Sequence, residues 1–309
     1  MRFLLPVDIH NPGFKSASLA SCIGKGLGER LEKVTILTVL AGKYLREHIK
    51  NIDTRAGRLI ESEFIRALRQ EHIERDILPV LAEIKAKLAE AGIGRVDEFI
   101  EDGDPSDKIL EYVNKRGYTH VFLDRRGVGT MQAFFLGSVT RKLLHSELRA
   151  SIYLIGEKLD EKMPCKMEHC LIPVDGSHHS SLALKEAGLI LGNCIKGVKN
   201  IELLHVINLA KYPERLENGH FPEKDGEKFL NEGKELLKTA GIPESCISMH
   251  MEYGHPAKKI IERIESKDVD LVFMGRRGRD AIQEFFIGSV TSEIVHKSTK
   301  PTFALVTEY

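Results

Sequence analysis

Short apolar runs alternate with amphipathic helical segments along the chain, and the alternation occurs twice. The runs are four to seven residues long, and charged helical stretches separate them. This pattern is typical of buried parallel strands joined by helices. The predicted strands are Phe3–Val7, Val34–Leu40, Val96–Ile100, His120–Leu123 and Ser151–Ile155 in a first unit, and Cys170–Val174, Ile201–Ile207, Ser248–Met251, Leu271–Met274 and Thr302–Val306 in a second. The sequence predicts two tandem doubly wound α/β domains, each with a five-stranded parallel sheet flanked by helices.

The two units are copies of one sequence. The stretch GRRGRDAIQEFFIGSVTSEIVH (Gly275–His296) matches DRRGVGTMQAFFLGSVTRKLLH (Asp124–His145) at half of its positions. The openings FLLPVD (Phe3–Asp8) and CLIPVD (Cys170–Asp175) also match. We therefore interpret the chain as an internal duplication.

The first unit is longer than the second between its first and third strands. The excess lies in the charged stretch Tyr44–Leu88. Within it, Ile60, Phe64, Leu68 and Ile73 have the spacing of one buried helix face.

Length and charge set further expectations. A chain of 309 residues fits two domains of roughly 150 residues each. We place them at residues 1–156 and 169–309, with the polar segment Gly156–Glu168 as the linker. Lys plus Arg equals Asp plus Glu at 45 each, which disfavours nucleic acid as a partner. No segment approaches the 18 or so apolar residues of a membrane span, so a cytoplasmic protein without a membrane partner is expected.

Five cysteines are scattered along the chain, at Cys22, Cys165, Cys170, Cys194 and Cys246. An odd and scattered set does not form a disulfide framework, so reduced thiols are expected. Cys165, His169 and Cys170 are close in sequence, but they lack a second ligand pair at zinc-site spacing. An ordinary linker and strand start is favoured over a metal site.

The loop after the fourth strand of the second unit has the spacing of a phosphate cradle. Gly275, Gly278, Gly288 and Ser289 follow a strand and precede an amphipathic helix. Glycines let the backbone approach a ligand, and a serine can cap a helix whose free N–H groups face an anion. A plain strand-to-helix turn would use the same residues. The cradle is favoured because Asp175 ends the first strand, and the carboxyl ends of parallel strands form the ligand crevice.

These motifs resemble the universal stress protein family in its tandem two-domain form. The resemblance rests on PVDGS (Pro173–Ser177), HVIN (His205–Asn208), GHP (Gly254–Pro256) and the loop Gly275–Ser289. It covers the chain apart from the long helical stretch of the first unit. It implies the strand order 3-2-1-4-5 in each domain, and many members of the family bind ATP or AMP.

The resemblance further implies an adenine-nucleotide site in the second unit, for ATP or AMP with or without Mg²⁺. Asp175 and Val206 would hold the adenosine, beside Pro173, Val174 and Met274. The phosphates would lie on the loop and the helix start, with an arginine as charge partner, at Gly275, Arg276, Gly278, Gly288, Ser289, Val290 and Thr291.

Each of these positions also has an ordinary interpretation. Asp175 can begin an Asx turn, and Val206 is a core position in any case. Arg276 and its neighbour Arg277 can be solvated loop charges. His178 and His179 are interpreted as exposed loop residues rather than phosphate ligands.

The favoured function is a non-catalytic, nucleotide-binding module of the stress response. The HxGH and SGGxDS signatures of enzymes with related folds are absent, and no nucleophile with a neighbouring base stands near the loop. A slow ATPase, another nucleotide-dependent enzyme and a nucleotide-free interaction scaffold are the alternatives. The apolar runs SIYLIGE (Ser151–Glu157) and TFALVTE (Thr302–Glu308) are interpreted as sheet edges that pair within the chain, giving an intramolecular pseudo-dimer. A homodimer of whole chains is a further expectation.

Asp124 stands where the second unit has Gly275. A carboxylate that faces phosphate at about 4 Å would cost on the order of 4 kcal/mol at an effective dielectric near 20, so an empty first site is expected. Arg125, Arg126 or a divalent ion would offset that repulsion. The other elements of the first site are kept, namely Asp8, Val39, Gly127, Gly137, Ser138, Val139 and Thr140.

Overall fold

The computed structural model describes residues 1–9, 12–40, 66–125, 136–194, 197–217, 219, 221–278 and 287–308. Its strands are β1 (Arg2–Val7), β2 (Lys33–Leu40), β3 (Val96–Asp102), β4 (His120–Asp124), β5 (Ser151–Ile155), β6 (His169–Pro173), β7 (Asn200–Asn208), β8 (Ile247–Gly254), β9 (Leu271–Gly275) and β10 (Thr302–Val306). They form one ten-stranded sheet in the order β3-β2-β1-β4-β5-β10-β9-β6-β7-β8. All ten predicted strands are present.

Each half of the sheet has the expected order 3-2-1-4-5, and within each half neighbouring strands are parallel. The central strands are almost continuously apolar because helices cover both faces of the sheet. The strands at the two ends, β3 and β8, are more exposed.

The helices are α1 (Phe14–Leu27), α2 (Leu78–Glu90), α3 (Pro105–Arg116), α4 (Ser138–Leu144), α5 (His178–Asn193), α6 (Tyr212–Glu217), α7 (Pro222–Thr239), α8 (Pro256–Ser266) and α9 (Ser289–Lys297). Buried residues of α1, α2, α5 and α7 share one hydrophobic core with the sheet. Those of α3, α4, α8 and α9 form a second core on the opposite face. Both cores run through both units, so the two units share their interior.

Local sequence sets the helix ends. The Asp104 carboxylate accepts hydrogen bonds from the N–H groups of Ser106 (2.9 Å) and Asp107 (3.1 Å), and it thereby caps α3. Pro105 occupies the first helical position, where no N–H is needed. The helix ends at Gly117, whose left-handed φ of 68° suits a glycine.

The two units join through their fifth strands. β5 and β10 pair antiparallel, with Leu154 opposite Phe303 and Ile152 opposite Leu305. The predicted edge pairing is therefore confirmed. At the end of β5, a Cβ on Gly156 would lie 2.2 Å from the carbonyl oxygen of Lys300, so only glycine fits this close crossing. We call this junction the seam.

A buried carboxylate reinforces the seam. Glu186 of α5, in the second unit, is 6% exposed and reaches into the first unit. It accepts hydrogen bonds from Ser151 Oγ (2.8 Å) and Tyr153 OH (2.6 Å), and His120 Nε2 lies 3.4 Å away. Burial disfavours its charge, but His120 and the two hydroxyls outweigh burial and hold the pKa of Glu186 below its ordinary value. The network satisfies a charge that would otherwise be costly to bury.

The linker packs against the first unit. Cys165 in the linker forms a disulfide with Cys22 of α1, 143 residues earlier. The expectation of reduced thiols is wrong for this pair, and Cys165 is not available to a metal. Cys170, Cys194 and Cys246 are free. Met167 of the linker is also buried.

The long stretch of the first unit is described only in part. Ile60 and Phe64 lie outside the described residues. Ile73 is buried, and Leu68 is half-buried, in agreement with a helix face turned to the core. A π-helical segment, Ile73–Ile77, leads directly into α2. Within the described part of the chain, no helix is long and apolar enough to span a membrane.

Candidate functional site

A cavity of about 200 Å³ opens at the carboxyl ends of β6, β7 and β9 in the second unit. This is the place where an open α/β sheet offers a crevice for a ligand, because the helices that lead to the two neighbours of β6 pack on opposite faces of the sheet. These helices are α5, before β7, and α8, before β9. The structure brings together every predicted site residue there except Arg276. The cavity walls include Pro173, Val174, Asp175, Val206, Met274, Gly275, Gly278, Gly288, Ser289, Val290 and Thr291.

Asp175 serves as a turn residue and as a cavity wall. Its Oδ1 atom accepts the N–H of Ser177 at 2.9 Å, which closes an Asx turn before α5. Its Oδ2 atom lies 2.9 Å from the place of a Cβ on Gly278. A side chain at position 278 would therefore collide with the carboxylate, which explains the glycine.

The start of α9 faces the cavity with free N–H groups. Gly288 is the N-cap, and no side chain caps the helix. The cap is therefore Gly288 and not Ser289, which is the first helical residue. The first N–H groups of a helix have no intrahelical acceptor, and together with the helix dipole they attract an anion. Thr291 anchors the turn because its hydroxyl donates to the carbonyl of Gly275 at 3.0 Å.

Arg276 does not face the cavity, so its predicted role as a charge partner for phosphate is wrong. Its side chain is turned to the seam, where the residue is 2% exposed. The guanidinium donates to the carbonyls of Leu148 (2.7 Å) and Leu144 (3.0 Å) in the first unit. Burial lowers the pKa of Arg276 to about 10, and it stays charged at neutral pH.

Two other arginines line the cavity. Arg277 follows Arg276 in the loop, and Arg215 comes from α6. Neither makes an ion pair or hydrogen bond to any described residue, so both guanidinium groups can approach an anionic ligand. The sequence does show that the loop carries two adjacent arginines, Arg276 and Arg277, but it does not show which of them faces the cavity. Arg215 lies in a charged helix that has no motif.

His205 was not predicted to belong to the site. Its ring is buried in the cavity wall, where Nδ1 lies 2.7 Å from the carbonyl oxygen of Val174. Further wall residues were not among the predicted site residues, although three of them lie in the HVIN and GHP motifs; they are Ser180, Leu204, Ile207, Asn208, Pro222, Pro256 and Ile260. His178 and His179 lie in the first turn of α5, not in a loop, and neither lines the cavity.

The first unit keeps the same helix start. Gly137 caps α4 with φ −55° and ψ 153°, close to the −64° and 149° of Gly288. Asp8, Val39, Ser138, Val139 and Thr140 are described, whereas Arg126 and Gly127 lie outside the described residues.

Asp124 points to the start of α1. A Cβ on Gly13, the N-cap of α1, would lie 3.1 Å from Asp124 Oδ2. In the second unit the matching space holds the first turn of α5, since a Cβ on Gly275 would lie 2.6 Å from the Cβ of His179. The expected orientation of the Asp124 carboxylate toward a phosphate is therefore wrong. Asp124 occupies room that a helical turn fills in the other copy.

Fold and cavity together define a tandem doubly wound α/β protein with an anion-attracting crevice in its second unit. The Universal stress protein family model matches residues 50–146 and 166–305, and the chain belongs to that family. A protein named as a universal stress protein in Staphylococcus aureus (strain USA300) is 27% identical over 146 residues, which are 46% of this chain and 85% of that protein.

Solved structures agree with this fold over the whole chain. A universal stress protein from Archaeoglobus fulgidus DSM 4304 gives a TM-score of 0.66 at 21% identity and covers 99% of this chain and 96% of its own. A protein from Pseudomonas aeruginosa UCBPP-PA14, named as a universal stress protein, gives a TM-score of 0.60 at 15% identity, with coverage of 99% and 92%. The two-unit arrangement is thus shared with other proteins.

Replacing Asp124 by asparagine should stabilise the protein at alkaline pH. Burial raises the pKa of Asp124 to about 7, while the Ser16 N–H and Lys15 oppose this only in part. Wild-type stability therefore falls as pH rises from about 4, where the unfolded side chain ionises, to about 7. At pH 8 the variant should be more stable by at most about 4 kcal/mol, because each tenfold change in proton affinity corresponds to roughly 1.4 kcal/mol.

Urea unfolding of both proteins between about pH 4.5 and 8 measures this difference. The advantage of Asp124→Asn should shrink toward the acid end. Asp97→Asn, at the half-buried Lys33–Asp97 ion pair, is the matched control and should bring no gain at pH 8. Parallel pH profiles for the wild type and Asp124→Asn would show that Asp124 is not buried as described.

Proposed function

We propose that the second unit binds an adenine nucleotide, ATP or AMP, in the cavity. The observation that carries the proposal is the uncapped start of α9, whose free N–H groups open into the same cavity as Asp175 and Val206. A phosphate group satisfies those N–H groups and the positive end of the helix at once.

The opposite side of the cavity suits an adenosine. Pro173, Val174, Val206 and Met274 give it apolar walls, and Asp175 adds an acceptor for ribose hydroxyls or base amines. The resemblance of the sequence assigns the adenosine to the same residues. Gly275, Gly278 and Gly288 leave room for the phosphates beside the backbone.

The charge of the phosphates is balanced by Arg215 and Arg277, which replace Arg276 in this role. Any Mg²⁺ that accompanies ATP would be held mainly by phosphate oxygens and water. The described residues contain no group of three His, Cys, Asp or Glu side chains placed to hold a metal ion.

The bound nucleotide is proposed to act as a signal in the stress response and not as a substrate. Among the described residues that line the cavity, Asp175 is the single carboxylate, and its Oδ1 is engaged by Ser177. His205 is tied to a backbone carbonyl. Among these residues, no pair of groups is thus poised to activate a water molecule at the phosphates.

Calorimetry should find one nucleotide site per chain, located in the second unit. Gly288→Val should weaken ATP binding at least about tenfold, or ~1.4 kcal/mol. The added Cβ would lie 3.3 Å from the Cα of Arg277, and the rest of the side chain would crowd the phosphate end of the cavity. Gly137→Val, the same change in the first unit, is the matched control and should leave the affinity unchanged. Two equal sites, or loss of binding only in Gly137→Val, would contradict this assignment.

ATP should stay largely intact in the presence of the protein. We expect turnover far below about 1 per second, the lower end of ordinary enzymes, because no acid–base pair among the described residues faces the phosphates. Chromatography of ATP after incubation with the wild type and with Gly288→Val measures the rate. Hydrolysis at or above that rate by the wild type, and its absence in Gly288→Val, would identify an ATPase instead.

A further inference from the structure

Two arginines with buried guanidinium nitrogens cross the seam in opposite directions. They occupy equivalent positions of the duplicated loop, Arg125 after β4 and Arg276 after β9. Each reaches the carboxyl end of the helix that follows the loop of the other unit. Neither side chain is used by the proposed nucleotide contacts.

Arg276 forms hydrogen bonds to backbone carbonyls at and just beyond the end of α4. One guanidinium nitrogen donates to Leu148 O at 2.7 Å, and the other to Leu144 O at 3.0 Å and Ser146 O at 3.2 Å. Carbonyls at the end of a helix lack intrahelical donors and carry the negative end of the dipole. A planar guanidinium that meets several of them is held in one orientation.

The backbone of Arg276 is hydrogen-bonded to the phosphate end of the cavity without lining it. Its N–H donates to Val306 O at 2.9 Å, and its carbonyl accepts the N–H of Gly288 at 2.7 Å. Gly288 is the N-cap of α9, and its carbonyl accepts from Ser292 at 2.8 Å. One residue therefore links the first unit, the last strand and the cap of the anion-binding helix.

Arg125 makes the reciprocal contact. Its Nη1 donates to Val295 O at 3.1 Å, near the carboxyl end of α9, and its guanidinium lies 5.3 Å from the ring centre of Phe303 on β10. Burial lowers the pKa of Arg125 to about 10, so the group remains a cation. The two ends of α9 are thus fixed by different arginines, the start through the backbone of Arg276 and the end by Arg125.

We propose that Arg125 and Arg276 are positioning residues through which the first unit sets the geometry of the phosphate end of the second-unit cavity. The first copy of the loop is then kept as a support for the second site. This inference rests on the proposed function, since the two arginines would change the affinity for the phosphates of the proposed nucleotide. Because the adenosine end is built mainly from β6 and β7, with Met274 as its contribution from β9, the effect should fall mainly on phosphate recognition.

The test compares ATP with adenosine. Calorimetry on the full chain would measure both affinities for the wild type, Arg276→Met and Arg125→Met. Methionine keeps much of the length of the side chain and removes its donors. ATP affinity should fall about tenfold in Arg276→Met and less in Arg125→Met, whereas adenosine affinity should stay within about twofold. Arg276→Lys, which keeps the charge but not the planar fork, should recover part of the loss.

Arg116→Met is the matched control. Arg116 lies over the rings of Tyr112 (3.9 Å) and Phe99 (5.1 Å) in the first unit and does not reach the seam. Its loss should change stability but leave the ratio of ATP to adenosine affinity as in the wild type. Equal losses for ATP and adenosine in the two seam variants, or no change in the ratio, would overturn the proposal.

A second readout separates this inference from the proposed function. If the wild type binds neither ATP nor adenosine, the nucleotide assignment fails, and amide hydrogen exchange at Gly288 and Ser292 becomes the test. Faster exchange at these two amides in Arg276→Met than in Arg116→Met would support positioning of α9 through the seam. Equal exchange in both variants would refute it.

Discussion

The antiparallel pairing of β5 with β10 is the contact on which the rest of the structure depends. Without it, each five-stranded sheet would end in a mostly apolar edge strand with unpaired N–H and C=O groups. The pairing turns two sheets into one and lets both hydrophobic cores run across the junction. It also brings α1 against α5 so closely that a Cβ on Gly26 would lie 2.4 Å from the Cα of Cys194. Glu186 can be buried only because the partner unit supplies its hydrogen bonds.

The seam also connects the two loops that the duplication created. Each loop sends one arginine to the helix end of the other unit. The second unit combines this support with a cavity that is lined by one carboxylate, Asp175, and two cations, Arg215 and Arg277, among the described residues. A duplicated chain can in this way keep one copy for binding and use the other as its scaffold. The position of Asp124 is consistent with a structural role for the first copy, because its side chain fills the space that a helical turn occupies in the second copy.

Strand positions and the glycine loop could be predicted from the sequence because both depend on local patterns, whereas adenosine-side residues such as Val206 followed from the resemblance to the universal stress protein family. Apolar runs report burial directly, and glycine spacing reports close backbone approach. Side-chain contacts that join distant segments carry no such signal. Arg276 and Arg277 are adjacent, and only the packing of the loop against the seam decides which of them faces the cavity. Glu186 resembles an ordinary charged position of a helix, and Cys22 and Cys165 are 143 residues apart. Each feature that the sequence did not predict is thus a contact across the seam or beside it.

The central claim is that the seam makes the two units one cooperative body. Hydrogen exchange of peptides from both units along a urea series, for the wild type and Glu186→Gln at pH 7, tests it most directly. One shared midpoint is predicted, and the substitution should lower the free energy of unfolding of both units together by about 3 kcal/mol, as for loss of one partner of a buried ion pair. The pKa of Glu186 is lowered on folding, so its contribution is present above the unfolded value near 4.3 and is lost as pH falls through the folded value. Separate midpoints for the two units, or a shift confined to the second, would contradict the account.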